Sequence, residues 1–393
     1  MTDNLRRLCM ISFKECWQND CGEWFSYGGF PFQLAAIGSL FDEMTLLITR
    51  GHSRPGGIPL PMHAQIIPLR LPVGQDARRK LSVLANLPYY LSMIIKYVRR
   101  ADVVHTPLPG DIPLLGMLVA LALRKPLIAR YGGSWVANSQ TTVMSRLTKA
   151  IMRQFAGGRN VMLATGEGES VPAPNMHWVF VSALSQAELQ KIQPVFDRGL
   201  SIQPRLIYAG RLSPEKGVLI LIEALAILKQ EHFTPLPYLT LAGDGPQRKE
   251  LEQVVAEFEC TDIIKFVGQL DRNSLSKQFL MADICVQPSL TEGFSKAWLD
   301  AMSHGLPVLA SEVGAARAVI GAEGERGWIV PPGNVNVLAT MLQRVLSEPL
   351  DWYTLRRRCR SFVEKRTLED WAQQIGQICT EQWKIDLEKK KNK

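Results

Sequence analysis

The residues best suited to chemistry lie in one short segment, 291–302. Glu292 precedes a predicted apolar helix, Ser295 is its predicted N-cap, and Asp300 lies one helical turn inside it. The free N–H groups at the start of a helix bind anions, and carboxylates accept hydrogen bonds from hydroxyls. The segment therefore offers the two kinds of contact that a nucleotide sugar needs.

A second candidate segment, 210–217, follows a strand-like run. Ser213 is a predicted N-cap and Pro214 the first helical residue, and this places Arg211 and Lys216 beside a helix start. Cations are unfavourable at that end of a helix, so two of them are expected where an anion lies between them. A diphosphate fits, since Arg grips it with two hydrogen bonds and Lys acts as a point charge. The alternative is a solvated pair of surface cations.

Two glycine pairs also stand at predicted strand ends. Gly243 and Gly245 flank Asp244, and Gly28 is followed by Gly29. Glycine allows tight turns and lets a ligand approach the backbone closely. A plain strand-to-helix turn is the simpler explanation of the first pair, and a flexible loop explains the second equally well.

The elements that must position these loops alternate along the whole chain. Short apolar runs separated by helical stretches indicate parallel βαβ units. Strands are predicted over 7–12, 44–48, 102–105, 126–130, 161–165, 178–181, 205–209, 238–242, 263–267, 283–286 and 307–310. The periodicity fades over 190–204, which predicts a linker.

The pattern predicts two doubly wound, Rossmann-like α/β domains that face a central cleft. Their predicted bounds are 1–195 and 196–370, with a C-terminal helix and basic tail over 371–393 that crosses back to the first domain. Ligands of such sheets bind at the carboxyl ends of the strands. The space between the two domains is the default site.

Composition narrows the class of protein. The chain has 393 residues, of which 46% are hydrophobic and 21% charged, so disorder is not expected. The longest apolar run, 112–123, is about half of a membrane span and predicts a buried helix. No signal peptide is predicted. The seven cysteines form no C-x-x-C pair, which favours reduced thiols in a cytoplasmic protein and no metal site.

The formal net charge of +8 is unevenly distributed. Residues 1–200 hold 21 Lys and Arg against 13 Asp and Glu, and the remainder holds 24 of each. This asymmetry predicts an anionic partner for the first half. The basic, partly aromatic stretches 76–100 and 146–153 suit an anionic membrane surface, although an ordinary solvated helix face is the alternative. Nucleic-acid binding is not expected, because recognition motifs are missing.

In combination these loops resemble the retaining glycosyltransferases of the GT-B fold, glycosyltransferase family 4, also called glycosyl transferases group 1. The resemblance is strongest over about 200–345. It is carried by the segments 208–217, 241–246, 266–268, 288–289, 292–294, 301–308 and 327–330. The first half matches more loosely, through 28–29, 102–105 and 125–126.

The resemblance implies roles for these residues. The catalytic set would be Arg211 and Lys216 on the donor diphosphate and Glu292 on the donor sugar. The wider donor-binding set would be Gly210, Gly243, Gly245, Val267, Gly293, Phe294, Ser295, Lys296 and Asp300. The first domain would contribute Gly28, Gly29, His105, Arg130 and Tyr131. No metal and no cofactor other than the nucleotide-sugar co-substrate is implied, and the chain contains no Asp-x-Asp.

Two departures from the family pattern concern specificity. Asp300 stands where the family has the second Glu of its E-x7-E signature, so its contact to ribose must be closer or mediated by water. The segment 131–135 replaces the usual His-Gly after a strand. Either Arg130, Tyr131 or Ser134 takes the place of that imidazole, or the chain differs in its choice of sugar.

The function expected from this resemblance is metal-independent transfer of a hexose from a nucleotide-diphosphate sugar to a hydroxyl of a glycan or lipid-linked acceptor, with retention of configuration. Synthesis of a cell-surface polysaccharide or glycolipid, in the cytoplasm or at the inner face of the membrane, is the expected setting. The alternatives are a nucleotide-sugar hydrolase or epimerase on the same fold, and a non-catalytic protein that binds sugar nucleotides.

Overall fold

The computed structural model describes residues 7–53, 56–74, 76–135, 142–166 and 170–384. The chain divides into two compact units. Unit 1 comprises Met1–Ala183 and Leu368–Lys393, and unit 2 comprises Leu184–Thr367. These boundaries differ from the predicted 195/196 and 370/371. The basic tail 389–393 lies outside the described residues.

Unit 1 is built on a parallel sheet with the strand order β5-β3-β1-β6-β7-β8-β9. Its strands are β1 (Arg7–Gln18), β2 (Trp24–Ser26), β3 (Glu43–Arg50), β4 (Ile58–Pro59), β5 (Ala64–Leu69), β6 (Val103–Leu108), β7 (Leu127–Tyr131), β8 (Asn160–Thr165) and β9 (Met176–Val179). The short strands β2 and β4 extend the end of β1 in antiparallel pairing. The sequence analysis missed β2, β4 and β5. The first two are too short to show a periodicity, and β5 leaves most of its side chains partly exposed.

Helices cover this sheet and close the core of unit 1. They are α1 (Phe30–Gly38), α2 (Asp76–Ala85), α3 (Leu87–Arg100), α4 (Asp111–Ala122), α5 (Val143–Phe155) and the last helix, α14 (Leu368–Trp383). Helix α4 is the buried apolar helix that its sequence predicts. Helix α14 packs against α1, β8 and β9, so the C-terminal helix returns to the first domain, as predicted.

Unit 2 contains a six-stranded parallel sheet with the order β12-β11-β10-β13-β14-β15. Its strands are β10 (Arg205–Ala209), β11 (Tyr238–Ala242), β12 (Ile264–Gly268), β13 (Ile284–Gln287), β14 (Val308–Ser311) and β15 (Gly327–Val330). Its helices are α6 (Gln186–Lys191), α7 (Val218–Gln230), α8 (Arg248–Glu257), α9 (Arg272–Met281), α10 (Lys296–Ser303), α11 (Ala316–Ile320), α12 (Val335–Ser347) and α13 (Trp352–Val363). The predicted strands of this half are present, and β15 was missed.

A buried carboxylate fixes the segment that leads into β10. Asp283 is fully buried, accepts a hydrogen bond from the backbone N–H of Arg205 at 2.8 Å, and lies 3.3 Å from Arg198 and 3.8 Å from Arg356. Buried charge is tolerated where it is paired and hydrogen-bonded. The predicted linker therefore ends as an ordered part of unit 2.

No single helix of the described chain is long and apolar enough to cross a bilayer. Among the described helices, only the consecutive segments 78–85 and 87–100 reach that length and apolar composition when they are taken together, and the two are bent by 59° where they meet.

Candidate functional site

The loop after β10 is held by contacts that its sequence alone does not reveal. The hydroxyl of Tyr208 donates to the carbonyl of Arg211 at 2.7 Å. Gly217 has φ 64°, and a Cβ there would lie 2.1 Å from the carbonyl oxygen of Pro288. Only glycine allows this approach. The loop is therefore fixed against the end of β13.

The predicted helix start in this loop is a single 3₁₀ turn, Pro214–Lys216. Ser213 occupies the N-cap position but its side chain caps no backbone N–H. Instead its hydroxyl donates to Glu215 Oε1 at 2.6 Å. Burial alone would raise the pKa of Glu215, but this hydrogen bond and the nearby cations lower it overall. The loop therefore combines an ionised carboxylate with Arg211 and Lys216.

Lys216 and Glu292, predicted as separate donor contacts, form an ion pair between Lys216 Nζ and Glu292 Oε2. Both side chains keep some solvent exposure, 25% and 16%. The carbonyl of Glu215 also accepts the backbone N–H groups of Leu290 at 2.9 Å and Thr291 at 3.4 Å. The two loops most favoured by the sequence analysis therefore meet. Arg211 lies beside them and is exposed, and its side chain makes no hydrogen bond or ion pair to another described residue.

Close backbone approach explains the glycines after β10 and β11. A Cβ on Gly243 would lie 1.8 Å from the carbonyl oxygen of Gly210, and one on Gly245 would lie 2.2 Å from that of Leu212. Backbone hydrogen bonds join the same loops, from Gly210 to Ala242 at 2.9 Å and from Leu212 to Asp244 at 3.0 Å. These glycines lock one loop to the next.

The loop after β13 is fixed in the same manner by a partner that the sequence analysis missed. Gly314 has φ 53°, and a Cβ there would lie 2.2 Å from the carbonyl oxygen of Gly293, which also accepts the N–H of Ala315 at 2.9 Å. Phe294 and Ser295 are buried. Ser295 occupies the N-cap position of α10, but its side chain makes no capping hydrogen bond. The glycine at 314, just past a strand end, was the available signal.

Asp300 lies in α10 with a half-buried side chain that makes no hydrogen bond or ion pair to another described residue. Burial raises the pKa of Asp300, and the positive charges of Arg272 and Lys296 oppose that rise. Arg272 is itself paired with Glu188 at 2.9 Å. Asp300 is therefore a carboxylate whose acceptor capacity is not used within the described part of unit 2.

Val267 lies at the end of β12, where the resemblance places the nucleotide base. Its side chain lines a cavity of about 370 Å³ beside β11 and α9. The next residue, Gly268, has φ 71° and accepts the N–H of Gly243 at 2.8 Å. The backbone of Gly268 is therefore joined to the loop after β11. Val267 lines a cavity that does not include that loop.

The predicted residues of unit 1 lie on the adjacent strands β6 and β7 and in the loop before α1. His105 is buried, its Nδ1 donates to the carbonyl of Ile128 at 2.9 Å, and burial lowers the pKa of the imidazole to about 3. It is a neutral core residue. Gly28 has φ 75° with no atom near its absent side chain, and Gly29 accepts the N–H of Gln33 at the start of α1. The positive charge of Arg130, on the neighbouring strand β7, lowers the pKa of His105 further.

Arg130 and Tyr131 follow one another in β7 and point to opposite faces of the sheet. The Arg130 guanidinium lies 3.2 Å from Gln33 Oε1, 3.4 Å from Thr165 Oγ1 and 5.4 Å from the centre of the Trp371 ring. Burial lowers the pKa of Arg130 to about 10. Within the described part of the chain, the Nε of Arg130 has no hydrogen-bond partner. Gln33, Thr165 and Trp371 were missed because nothing in their local sequence marks them.

The described residues contain no group of three or more His, Cys, Asp or Glu side chains placed to hold a metal ion.

Solved structures with the same architecture identify the fold. Sucrose-phosphate synthase from Thermosynechococcus elongatus superposes with a TM-score of 0.71 at 23% identity, covering 96% of this chain and 98% of its own. Anabaena HepE in complex with UDP-glucose superposes with a TM-score of 0.68 at 18% identity, covering 95% and 99%. The chain has the two-domain GT-B fold.

Sequence comparison finds similarity chiefly in unit 2. Residues 198–366 match the family described as Glycosyl transferases group 1. The MMP alpha-(1->4)-mannosyltransferase of Mycolicibacterium hassiacum is 36% identical over 248 residues, which cover 63% of this chain and 56% of that protein. The chain spans about half the length of the curated relatives it matches.

Proposed function

We propose that the chain is a retaining glycosyltransferase that moves a hexose from a nucleotide-diphosphate sugar to a hydroxyl group. One observation carries the proposal: the Lys216–Glu292 ion pair beside Arg211. It places two cations and a carboxylate after β10 and β13, which are adjacent parallel strands. Ligands of open parallel sheets bind at this end of the strands.

Arg211 and Lys216 act on the leaving diphosphate. One N–H of the Lys216 ammonium is directed at Glu292, and the other two remain available to phosphate oxygens. The exposed Arg211 guanidinium can bind a phosphate through two hydrogen bonds. Negative charge grows on the leaving group in the transition state, and donors fixed in advance stabilise it there. The interlocked glycine loops keep these donors in place.

In the proposed reaction the acceptor oxygen forms a bond to the anomeric carbon as the bond from that carbon to the diphosphate breaks. The acceptor proton passes to the leaving phosphate oxygen, which balances charge without a protein base. Glu292 accepts hydrogen bonds from sugar hydroxyls, and Asp300 accepts them from the ribose. The named activities of the relatives support this reading: one is a mannosyltransferase and another is seen with UDP-glucose.

A thermal-shift series with UDP-, GDP- and ADP-sugars tests the proposal, since a ligand that binds only the folded state raises the melting temperature. One donor class should stabilise the chain strongly, and Lys216→Met should abolish that shift. Lys229→Met is the matched control, because Lys229 pairs with Asp262 on the surface of unit 2. If no nucleotide sugar stabilises the wild type, the proposed function is wrong.

Product analysis separates the transferase from its alternatives. With donor but no acceptor, a transferase releases free sugar only slowly, whereas a hydrolase turns over fully and a binding protein gives no product. The same assay repeated in EDTA tests the proposed metal independence, and an unchanged rate is expected.

We further propose that unit 1 attaches to an anionic membrane surface at the cytoplasmic face, where a glycan or lipid-linked acceptor would be available. Helix α5 supports this with Val143 and Leu147, which are 78% and 50% exposed, next to exposed Arg146. Helix α2 adds Leu81 and Leu84, also largely exposed. Basic amphipathic helices of this kind bind anionic lipid surfaces.

Sedimentation with vesicles containing anionic lipid at physiological salt tests the attachment. We expect wild type to sediment and a Leu147→Ser, Arg146→Glu variant to remain in solution. Ile202→Ser is the control, since Ile202 is 97% exposed in unit 2. Equal sedimentation of all three proteins, or of none, would contradict the proposal.

A further inference from the structure

Helix α5 also carries a buried lysine that the site described above does not use. Lys149 is only 5% exposed. Its Nζ lies 5.2 Å from the centre of the Tyr131 ring and 5.8 Å from that of Trp135. The ammonium makes no hydrogen bond or ion pair with any other described residue. A buried charge without a partner is unfavourable in a folded protein.

A second unused donor lies against the same lysine. Trp135 follows the end of β7, and its ring packs edge-on against that of Tyr131 at 5.3 Å. The Trp135 indole N–H is buried and has no acceptor among the described residues. Most buried polar groups have a partner, so each exception needs an explanation.

Arg153 adds a second positive charge to this group. It lies one turn after Lys149 in α5, and its guanidinium is 5.5 Å from the centre of the Trp135 ring. Arg153 pairs with no carboxylate among the described residues. Its charge and the burial together lower the pKa of Lys149.

Cation–π contacts account for part of this arrangement, but they leave the donors unused. Lys149, Arg153 and the Trp135 indole supply only hydrogen-bond donors, and two of the three carry positive charge. A ligand that meets all of them must be rich in acceptors and negatively charged. The group also lies at the carboxyl end of β7, the edge of a parallel sheet where ligands bind.

We propose that Lys149, Arg153 and the Trp135 indole form a phosphate-binding site in unit 1. The proposal deepens the proposed function and rests on it in one respect: the phosphate would belong to the acceptor. The acceptor is then a phosphate ester of a sugar or of a lipid, and both share the chemistry that the three donors recognise. The residues of this site belong to unit 1, whereas Arg211 and Lys216, which bind the donor diphosphate, belong to unit 2.

Three variants test the site on the full chain. Lys149→Met keeps the length of the side chain and removes its charge, Trp135→Phe keeps a ring and removes the N–H, and Lys216→Met removes a cation of the donor site. Binding of inorganic phosphate is measured by calorimetry and by thermal shift against sodium chloride at equal ionic strength.

We expect Lys149→Met to weaken phosphate binding at least tenfold and Trp135→Phe about threefold. Lys149→Met should melt no lower than wild type without phosphate, because it removes a buried unpaired charge. A purely structural lysine would give the opposite result, a lower melting temperature and an unchanged response to phosphate. If only Lys216→Met loses phosphate binding, the proposal is wrong.

Two further probes separate the source of the phosphate. A soluble sugar 1-phosphate is compared with farnesyl phosphate in phosphatidylcholine vesicles, and vesicles without farnesyl phosphate are the blank. Loss of binding of either probe in Lys149→Met supports the site and identifies its ligand class, whereas binding of neither by wild type overturns it. Stabilisation of Lys149→Met by the nucleotide sugar should be normal. A failure of the donor proposal would therefore be seen separately.

Discussion

The carboxyl ends of the two parallel sheets differ in how their charges are neutralised. In unit 2, Lys216 is paired with Glu292 and Arg272 with Glu188. In unit 1, Arg130 and Lys149 lie against aromatic rings, and neither forms an ion pair with a described residue. Unit 2 therefore fixes its geometry through its own acids, whereas unit 1 presents uncompensated positive charge.

The close backbone contacts at the glycines of unit 2 have no counterpart at Gly28, one of the two glycines predicted for the site in unit 1. An added Cβ would lie about 2 Å from a backbone carbonyl oxygen of another loop at each of four unit 2 glycines, at 217, 243, 245 and 314. In unit 1, Gly28 has a positive φ but no neighbour within 4 Å. Loops that are locked together suit a site that must be fixed before the ligand arrives. An open loop imposes no such geometry.

The largest expected effect is on catalysis through Lys216. Lys216→Met should lower kcat by about 10³-fold, because a fixed donor to the developing charge is lost. The measurement is initial-rate kinetics with the donor identified by the thermal-shift series. Glu292→Gln should cause a similar loss, and the double variant should be little worse than either single one, since the two act as a pair. Fully additive losses would show that the ion pair is incidental.

The next prediction compares one glycine from each unit. Gly243→Ala should destabilise unit 2 by roughly 2–4 kcal/mol, because its Cβ would collide with the carbonyl of Gly210. Gly28→Ala should cost only about 1–2 kcal/mol, the penalty for a left-handed backbone conformation. Urea unfolding of both variants measures the difference. If the two losses are equal, the loops of unit 2 are not locked in the way described.

This contrast also explains what could be predicted from sequence. In unit 2, Gly243 and Gly245 and every strand except β15 were found, whereas Gly314 was missed. The glycines could be found because close backbone approach demands one residue type at fixed spacing. The surroundings of Arg130 were not, because Gln33, Thr165 and Trp371 are remote in sequence and have ordinary local patterns. The pairing of Lys216 with Glu292 likewise depends on how β10 and β13 lie side by side, and local periodicity does not report that.

Ser213 and Ser295 occupy the predicted N-cap positions, but neither side chain makes a capping hydrogen bond. An N-cap serine is a local signal, but its hydroxyl bonds to the best acceptor or donor within reach. For Ser213 that partner is the carboxylate of Glu215. For Ser295 the structure shows a buried residue without a capping bond.

In one respect the two units should behave alike. Each contains a buried histidine, and burial lowers the pKa of its imidazole, to about 3 for His105 and to about 4 for His304. Below a pH of about 6.5 the unfolded chain takes up protons that the folded chain excludes. Stability should therefore fall as the pH drops from about 6.5 towards 4 in both units, by up to about 1.4 kcal/mol per pH unit for each histidine.

Urea unfolding between pH 4 and pH 7 measures this slope. His105→Asn and His304→Asn should each flatten it, whereas His63→Asn should not, because His63 is exposed. A slope that survives both buried substitutions would assign the acid sensitivity to other groups.

The smallest expected effect concerns Asp300, where folding and binding make opposite demands. Burial raises the pKa of this carboxyl, so between its ordinary value and the raised one the folded chain holds more protons than the unfolded chain. Stability is then lost as the pH rises through that window.

Asp300→Asn should consequently stabilise unit 2 by about 1 kcal/mol at pH 7, with little effect at pH 3. The same substitution should weaken donor binding by about tenfold. Asp300→Glu keeps the charge and restores the longer side chain typical of the family, so its donor affinity should stay within about threefold of wild type. Unfolding at both pH values, together with donor titration of the three proteins, decides the point. A destabilised Asp300→Asn with normal donor affinity would make Asp300 a structural residue, and Lys216, Glu292 and Arg211 would then hold the donor without it.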